Sequence, residues 1–97
     1  MQFEWDEAKN EANVTKHGVS FELAAEIFYA PVFSLTDSRR DYGEMRTISI
    51  GQVSGVLILA VVHADRSGRR RIISARRASR AERSDYDQAI AEADQHG

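Results

Sequence analysis

Arginine is the residue type whose number and spacing in this sequence suggest chemistry. Seven arginines lie between Arg69 and Arg83, although the 97-residue chain has a formal net charge of −2. A guanidinium group stays protonated, and its planar fork donates two parallel hydrogen bonds to a phosphate. Such a cluster creates a local positive field that suits a phosphate or a negatively charged partner. The sequence therefore predicts a basic site in an acidic protein.

The arginines divide by their predicted positions. Those at residues 69–71 follow a predicted turn, which favours protection of an exposed strand or general attraction of a nucleic-acid backbone. Arg76 and Arg80 converge where a predicted strand runs into a helix, and the N-terminus of that helix adds partial positive charge. We therefore expect Arg76 and Arg80 to carry the chemistry, with Arg83 contributing to the surrounding field.

Two histidines are candidates for proton transfer, because imidazole titrates near neutral pH. His17 is a candidate general acid or base, but a cation just before Gly18 is also what a helix C-terminus favours, and this structural explanation is preferred on local physics. His63 ends a predicted central strand. It either faces a phosphate beside Arg46 on the neighbouring strand or is a half-exposed side chain.

Two residues of the last predicted helix have similar alternatives. Glu82 is a candidate general base, but its position three residues after Ser79 favours a capping box, in which the two residues satisfy each other's backbone N–H groups. Tyr86 either contacts a substrate through its hydroxyl or anchors the core.

Several kinds of site are excluded or unsupported by the sequence. Cysteine is absent, which excludes disulfides, a thiol nucleophile and cysteine-ligated metals. There is no HExxH motif, no metal-spaced His/Asp cluster and no Gly-rich phosphate loop. We therefore expect any catalysis to need no metal and no cofactor, and to use Arg, His, Lys and Glu.

Length and composition predict a single domain over residues 1–97. The chain is 42% hydrophobic with one proline, which is typical of a globular protein with one modest core. Its longest apolar run, residues 56–62, is too short to span a membrane, and the first residues do not resemble a signal peptide. A cytoplasmic location is the expectation.

Charge is unevenly distributed along the chain. Residues 1–36 carry a net charge of −4, residues 37–86 carry +5, and an acidic tail from about residue 87 carries −3. A basic face is therefore compatible with a sequence pI near 5.9, and the pI alone does not exclude nucleic-acid binding.

The N-terminal third is predicted to form a short edge strand, at residues 2–5, and a helical hairpin. Asp6 and Ser20 are typical N-cap residues, Gly18 is a typical left-handed terminator, and Pro31 ends the second helix, predicted over residues 21–29. Spacing also places Trp5, Ala8 and Ala12 on one apolar face of the first helix.

The remainder is predicted to be an antiparallel meander of three to four strands followed by a C-terminal helix, giving an α+β fold. The strands are predicted over residues 32–35, 44–50, 56–63 and 69–75, with connections over residues 36–43, 51–55 and 65–68. Strict alternation in the last strand places Arg70, Ile72, Ser74 and Arg76 on one face and Arg71, Ile73 and Ala75 on the other.

Taken together, the motifs resemble the BrnT family of type II toxins, which is related to the RelE-like ribonucleases. The resemblance covers residues 3 to about 87 and rests on sequence segments that are specific in combination. They are Phe3-Glu4-Trp5-Asp6 with Lys9 and Asn13, Lys16-His17-Gly18-Val19 with Phe21, Ala24 and Ala25, Gly43-Glu44 with Arg46, Ile50-Gly51, Val61-Val62-His63 with Asp65-Arg66, and Arg71-Ile72-Ile73-Ser74-Ala75-Arg76-Arg77-Ala78 with Arg80, Glu82 and Tyr86.

The resemblance implies a toxin that cleaves RNA and inhibits translation. It implies neutralisation by a cognate antitoxin with a ribbon-helix-helix-type DNA-binding domain, in a complex of two toxins and two antitoxins that reaches DNA only through the antitoxin. Candidate catalytic residues are then His17, Arg46, His63, Arg76, Arg80 and Glu82. Candidate RNA-binding residues are Lys16, Arg66, Arg70, Arg77 and Tyr86.

Two alternatives belong to other functional classes. A non-catalytic nucleic-acid-binding module would bind RNA or DNA with steep salt dependence and yield no cleavage products. A partner-binding module would use its arginines on an acidic protein and show no affinity for RNA. The acidic tail, with Asp87, Glu92 and Asp94, departs from the motif core and lies close to the predicted basic site.

Overall fold

The fold places helices on both faces of one twisted sheet. A computed structural model describes residues 1–37 and 43–96, with side chains of the last helix described to residue 93. Within these ranges the elements are β1 (Gln2–Glu4), α1 (Glu7–His17), α2 (Phe21–Ala25), a 3₁₀ segment (Glu26–Tyr29), β2 (Phe33–Thr36), β3 (Thr47–Val53), β4 (Leu57–Arg66), β5 (Arg69–Arg77) and α3 (Arg80–His96).

The sheet is mixed and has the order β1-β5-β4-β3-β2 in the described ranges. Strands β2 to β5 form the predicted antiparallel meander, and β1 pairs in parallel with β5 through Gln2, Phe3 and Glu4. The α+β prediction is confirmed. The sheet has five strands in these ranges instead of three to four, because β1 joins its edge.

Local capping fixes the ends of the first two helices as predicted. The Asp6 carboxylate accepts hydrogen bonds from the backbone N–H groups of Ala8 and Lys9, and Gly18 ends α1 with φ of 71°. Ser20 Oγ accepts from Leu23 N at 3.1 Å and starts α2. The second helix is α-helical only to Ala25 and tightens into the 3₁₀ segment before Pro31.

The prediction for the buried face of α1 was wrong. Ala8 and Ala12 are exposed, whereas Asn10 and Asn13 are 4% and 7% exposed. These two amides are buried because they hydrogen bond to backbone groups of other elements. Trp5 does pack partly buried against the core, with its ring edge-on to Phe21 at 6.2 Å.

Buried apolar residues form a cluster on each face of the sheet. The cluster under α1, α2 and the 3₁₀ segment includes Phe21, Ile27, Leu59, Ile72 and Ala75. The cluster under α3 is smaller and contains Ile50, Ala60 and Tyr86, with Phe33, Ile48 and Ile90 packed against it. Tyr86 is therefore a core anchor of α3.

A β-bulge overturns the predicted alternation along β5. Val62 pairs with Ser74 and His63 pairs with Ile72, so Ile73 is the extra residue. Ile72 and Ala75 consequently lie in the same core cluster, although strict alternation separated them. Arg70 and Arg76 do not share a face: Arg70 stacks on Phe28, whereas Arg76 contacts Glu82 of α3.

Strand boundaries differ modestly from prediction. β3 begins at Thr47 and continues through Gly51 to Val53, so residues predicted as a turn extend the strand. β4 likewise runs on to Arg66, and a two-residue turn, Ser67-Gly68 with φ of 54° and 78°, connects it to β5. The predicted loop over residues 36–43 lies mainly outside the described residues.

Gly51 permits close packing of the 3₁₀ segment on β3. A Cβ atom at this position would lie 2.8 Å from Ile27 Cβ and 2.9 Å from Val32 Cγ1. Such distances require the backbone elements to move apart, so any larger residue would separate the segment from the sheet. No helix within residues 1–37 and 43–96 is long and apolar enough to cross a membrane.

Candidate functional site

The corner where β5 runs into α3 contains a bidentate ion pair between Arg76 of β5 and Glu82 of α3. Arg76 Nη1 donates to Glu82 Oε1 at 2.6 Å, and Arg76 Nη2 donates to Glu82 Oε2 at 2.9 Å. The Arg76 side chain is 35% exposed and the Glu82 side chain 20%. Because the contact is bidentate, it fixes the plane of the guanidinium as well as its position.

Glu82 also completes the predicted capping box. Its Oε1 accepts from Ser79 N at 2.8 Å, while Ser79 Oγ accepts from Glu82 N at 3.2 Å. The preferred interpretation of Glu82, as the capping-box partner of Ser79, is therefore confirmed. A single carboxylate thus starts α3 and holds the Arg76 side chain at the helix N-terminus.

This pairing makes Glu82 a weak base. The hydrogen bonds from Arg76, partly opposed by burial and reinforced by Ser79, lower the pKa of the Glu82 carboxyl to about 2. At neutral pH the group is ionised, but a carboxylate with so low a pKa has little tendency to take a proton from a substrate. Its geometry suits orientation of Arg76 better than proton abstraction.

Exposed cations lie on the first turns of α3 and at the end of β5. Arg80 and Arg83 line an open cavity of about 440 Å³ with Ala78, Ser84 and Asp87. Arg77 is also exposed and lines a smaller neighbouring cavity with Arg83. The cavity lies at the first turns of α3, where helix N–H groups add to the positive field. It therefore suits a phosphate, and Asp87 places one opposing charge there.

The C-terminal end of α1 reaches the same end of the sheet. Asn13 hydrogen bonds to the backbone of Ala75, the residue before Arg76. His17 lies one helical turn beyond Asn13, about 6 Å along the axis of α1. It is half-buried, and exposed Lys16 precedes it.

His63 lies in a different environment, within a chain of polar groups of which Ser49 and His63 are buried. Its Nε2 is 2.7 Å from Ser49 Oγ, which is 2.8 Å from Ser34 Oγ. Its Nδ1 is 2.9 Å from Asp65 Oδ1, and Arg70 donates to both carboxylate oxygens of Asp65 at 2.8 Å. His63 is 2% exposed, so of its two predicted alternatives the half-exposed side chain is wrong.

Hydrogen bonding and burial together specify the neutral state of His63. Burial lowers the pKa of the imidazole, although Asp65 partly opposes this effect. The pKa of the Asp65 carboxyl is in turn lowered, chiefly by the hydrogen bonds from Arg70. The ionised carboxylate accepts from Nδ1–H, which leaves Nε2 to accept from the Ser49 hydroxyl. This environment suits a structural role for His63.

Aromatic contacts close the His63 network on its helical side. The Phe28 ring is edge-on to the imidazole at 5.2 Å, and the Arg70 guanidinium stacks on Phe28 at 4.4 Å. The Arg70 side chain is 20% exposed and bidentate to Asp65. Arg70 is thus a component of this network.

The remaining predicted site residues lie toward the far end of the sheet. Arg46 immediately precedes Thr47, which pairs with His63, whereas the basic corner begins near Leu59, which pairs with Arg77. Four residues of β4 separate these levels, or about 13 Å. Arg46 Nε lies 3.6 Å from Glu44, and exposed Arg66 lines a cavity with Glu44, Asp65 and Arg71.

The predicted catalytic residues therefore occupy separate places. The structure joins Arg76 to Glu82, places Arg80 on the same first turn of α3 but in a cavity that neither of them lines, and places His17 at the end of α1 that contacts Ala75. It does not bring His63 or Arg46 to that corner.

Tyr86 lies in the core, and Asn13 makes a contact near the site that the sequence did not signal. Tyr86 is 6% exposed, and burial, assisted by Asp87, raises the pKa of its hydroxyl, which fits its core position. Asn13 was noted in the sequence only as part of the family resemblance. Its contact with Ala75 joins residues 62 positions apart, and no local pattern signals such a contact.

The described residues offer no prearranged metal site. Within residues 1–37 and 43–96, no group of three or more His, Cys, Asp or Glu side chains is placed to hold a metal ion.

Comparison with known proteins identifies the family. Residues 5–82 match the family model described as "Ribonuclease toxin, BrnT, of type II toxin-antitoxin system", a range that ends on the Arg76–Glu82 pair. Among solved structures, the Brucella abortus ribonuclease toxin, BrnT, matches with 30% sequence identity and a TM-score of 0.63 over 82% of this chain and 99% of that chain. No curated protein matches. The chain therefore belongs to the BrnT family of ribonuclease toxins of type II toxin-antitoxin systems.

Proposed function

We propose that this chain is a metal-independent endoribonuclease whose cleavage of RNA inhibits translation, with its active site at the corner of β5 and α3. The observation that carries the proposal is the bidentate Arg76–Glu82 pair at the N-terminus of α3, whose first turn also carries exposed Arg80. A positioned guanidinium, a second cation and a helix N-terminus are the groups expected around a phosphate that gains negative charge.

In the proposed reaction, a ribose 2′ oxygen attacks the adjacent phosphorus. The bond from O2′ to phosphorus forms, the bond from phosphorus to O5′ breaks, and the products carry a 2′,3′-cyclic phosphate and a 5′ hydroxyl. His17 takes the proton from the 2′ hydroxyl, and the leaving O5′ takes a proton from solvent. Arg76 and Arg80 stabilise the charge that builds on the non-bridging phosphate oxygens.

Glu82 has a positioning role in this proposal. Its pKa of about 2 makes it a poor acceptor for the 2′ proton, while its two oxygens hold the plane of the Arg76 guanidinium. His17 is the candidate base because it is half-buried and lies at the end of α1 that meets β5.

The surface around the corner of β5 and α3 is also basic. Lys16 and Arg77 are exposed at this end of the sheet and are proposed to contact the RNA backbone on either side of the cleaved bond. Exposed Arg66 lies toward the opposite end, where it is proposed to contact a more distant nucleotide. The resemblance to RelE-like ribonucleases fits this use of surface cations and remains a prediction.

Membership of a type II toxin-antitoxin family implies an antitoxin partner. We propose that this partner is a ribbon-helix-helix DNA-binding protein that forms a complex of two toxins and two antitoxins. The toxin then reaches DNA only through the antitoxin, and it acts in the cytoplasm, where its RNA substrate is found.

The experiment is cleavage of end-labelled RNA by the purified protein in the presence of EDTA, with analysis of the product ends. The proposal predicts cleavage with 2′,3′-cyclic phosphate ends that persists in EDTA. Salt-dependent RNA binding without products would instead identify a non-catalytic binding module. Cleavage abolished by EDTA and restored by Mg²⁺ would contradict the metal-independent mechanism.

A further inference from the structure

We propose that Asn13 is a positioning residue for the RNA-cleavage reaction, because its side chain holds the end of α1 that carries His17 against the strand that carries Arg76. This inference rests on the proposed function of the corner, and it assigns to a buried amide a role that the local sequence does not suggest.

The Asn13 amide makes three hydrogen bonds to backbone groups. Its Nδ2 donates to Val19 O at 2.8 Å and to Ala75 O at 2.8 Å, and its Oδ1 accepts from Ala75 N at 3.2 Å. The side chain is 7% exposed. One amide therefore joins α1, the chain that follows Gly18, and β5.

The contact with β5 replaces a missing strand. β1 pairs with β5 only from Arg69 to Arg71, so the edge of β5 near Ala75 lies beyond the last residue of β1. Asn13 presents one donor and one acceptor to the N–H and C=O of Ala75, as a neighbouring strand would. The next residue along the strand is Arg76, so Asn13 fixes the backbone from which the guanidinium extends.

The same amide also fixes the last turn of α1. Val19 O, which accepts from Asn13, lies directly after Gly18, the left-handed residue that ends the helix. His17 lies four residues after Asn13 and so projects from a neighbouring position on the helix surface. Movement of Asn13 therefore changes the position of His17 relative to β5, and displacements of about 1 Å cost on the order of a hundredfold in rate.

Asn10 is a matched control within the same helix. It is 4% exposed and hydrogen bonds to Phe21 N at 2.8 Å and to Glu22 at 2.9 Å, so it ties α1 to α2. Its side chain hydrogen bonds to Glu7, Phe21 and Glu22, which lie away from β5 and from the end of α1. Loss of Asn10 should therefore destabilise the fold without displacing the corner.

The experiment compares Asn13→Ala with Asn10→Ala by thermal unfolding, by steady-state RNA cleavage and by the imidazole NMR signals of the folded proteins. The chain has three histidines, so these signals can be assigned. Both variants should lose stability, since each leaves buried backbone groups unpaired. For Asn13→Ala we expect kcat to fall about a hundredfold with little change in KM, and the His17 signal to shift. For Asn10→Ala we expect kcat and the His17 signal to stay near those of the wild type.

Equal kcat values in the two folded variants, with an unmoved His17 signal in Asn13→Ala, would overturn the proposal. If Asn13→Ala does not fold, Asn13→Asp replaces it, because aspartate keeps the size and the acceptor for Ala75 N but lacks the donor for the two carbonyls. The same kcat loss and signal shift are expected of it. If the wild type cleaves no RNA, the proposed function fails, while the His17 signal still decides whether Asn13 positions the end of α1.

Discussion

Arg76 and Glu82 form a bidentate ion pair across the junction between β5 and α3, with nitrogen–oxygen distances of 2.6 and 2.9 Å. Glu82 also accepts from the backbone N–H of Ser79 and thereby caps α3. The start of a helix and the orientation of a candidate phosphate-binding guanidinium are consequently set by one carboxylate. Stability and activity should therefore respond together to changes at Glu82.

Replacement of Glu82 by glutamine tests this double role. Glu82→Gln removes the charge that orients Arg76, so we expect kcat for RNA cleavage to fall by tenfold to about a hundredfold. Loss of the charge-assisted pairing with Arg76 should lower the free energy of unfolding by about 1 kcal/mol, while the glutamine oxygen can still accept from Ser79 N. Urea unfolding and initial cleavage rates measure the two effects. Exposed Glu92, also on α3, supplies the control Glu92→Gln, which should change neither. A fully active Glu82→Gln would show that the ion pair does not position Arg76 for catalysis.

Acid should weaken the fold through the same carboxylate. The folded pKa of Glu82 is about 2, compared with an ordinary value of 4.5, so the unfolded chain binds the proton first as pH falls. The stabilisation is therefore fully present above pH 4.5 and is lost between pH 4.5 and about 2. Urea unfolding across this window should show a steeper decline for the wild type than for Glu82→Gln. Parallel declines would mean that the pair contributes little to stability.

The lowered pKa of His63 predicts a second effect of pH on stability, at higher pH than that of Glu82. Because burial lowers its folded pKa, the unfolded state takes up a proton near pH 6.5 that the folded state excludes. Stability should therefore fall as pH drops below about 6.5, down to the folded pKa. His63→Gln, which cannot titrate, should be less stable at pH 7.5 but should show a smaller decline toward pH 5. An equal decline in both proteins would place the titrating group elsewhere.

Capping residues show why parts of the fold were predictable from the sequence. Asp6, Gly18, Ser20 and the Ser79–Glu82 box act over one to three residues, so their types and spacing specify helix ends without tertiary information. Alternation likewise identified the strands of the meander, although not their final residues.

Long-range contacts explain what sequence alone did not predict. The bulge at Ile73 is set by pairing with β4, and it places Arg70 and Arg76 on opposite faces of the sheet instead of the same face. Asn13 is buried because it hydrogen bonds to Ala75, 62 residues away, whereas Ala8 and Ala12 have the apolar character expected of a buried face and are exposed. Residue type alone made His63 a candidate for proton transfer, but its hydrogen bonds to Ser49 and Asp65 hold the imidazole in a buried position.

Gly51 tests the packing of the 3₁₀ segment on the sheet. Gly51→Ala places a methyl group within 3 Å of Ile27 and Val32, so we expect a loss of about 1–3 kcal/mol in the free energy of unfolding. Gly68→Ala is a useful contrast, because nothing lies within 4 Å of the new Cβ and only its positive φ is unfavourable, at about 1–2 kcal/mol. Partial recovery of the loss by the second change Val32→Ala, which removes the Cγ1 atom at 2.9 Å, in Gly51→Ala but not in Gly68→Ala would identify the clash. Absence of any loss in Gly51→Ala would refute it.

The central claim is that Arg76 stabilises charge on phosphate during RNA cleavage. The most direct measurement is kcat/KM for cleavage by Arg76→Ala in EDTA, with Arg69→Ala as the matched control, since Arg69 lies at the opposite end of β5 and is 60% exposed. We predict a loss of about a hundredfold or more for Arg76→Ala and a value close to that of the wild type for Arg69→Ala, with both proteins folded. Equal losses in the two variants, or full activity of Arg76→Ala, would contradict the assignment of the active site to this corner.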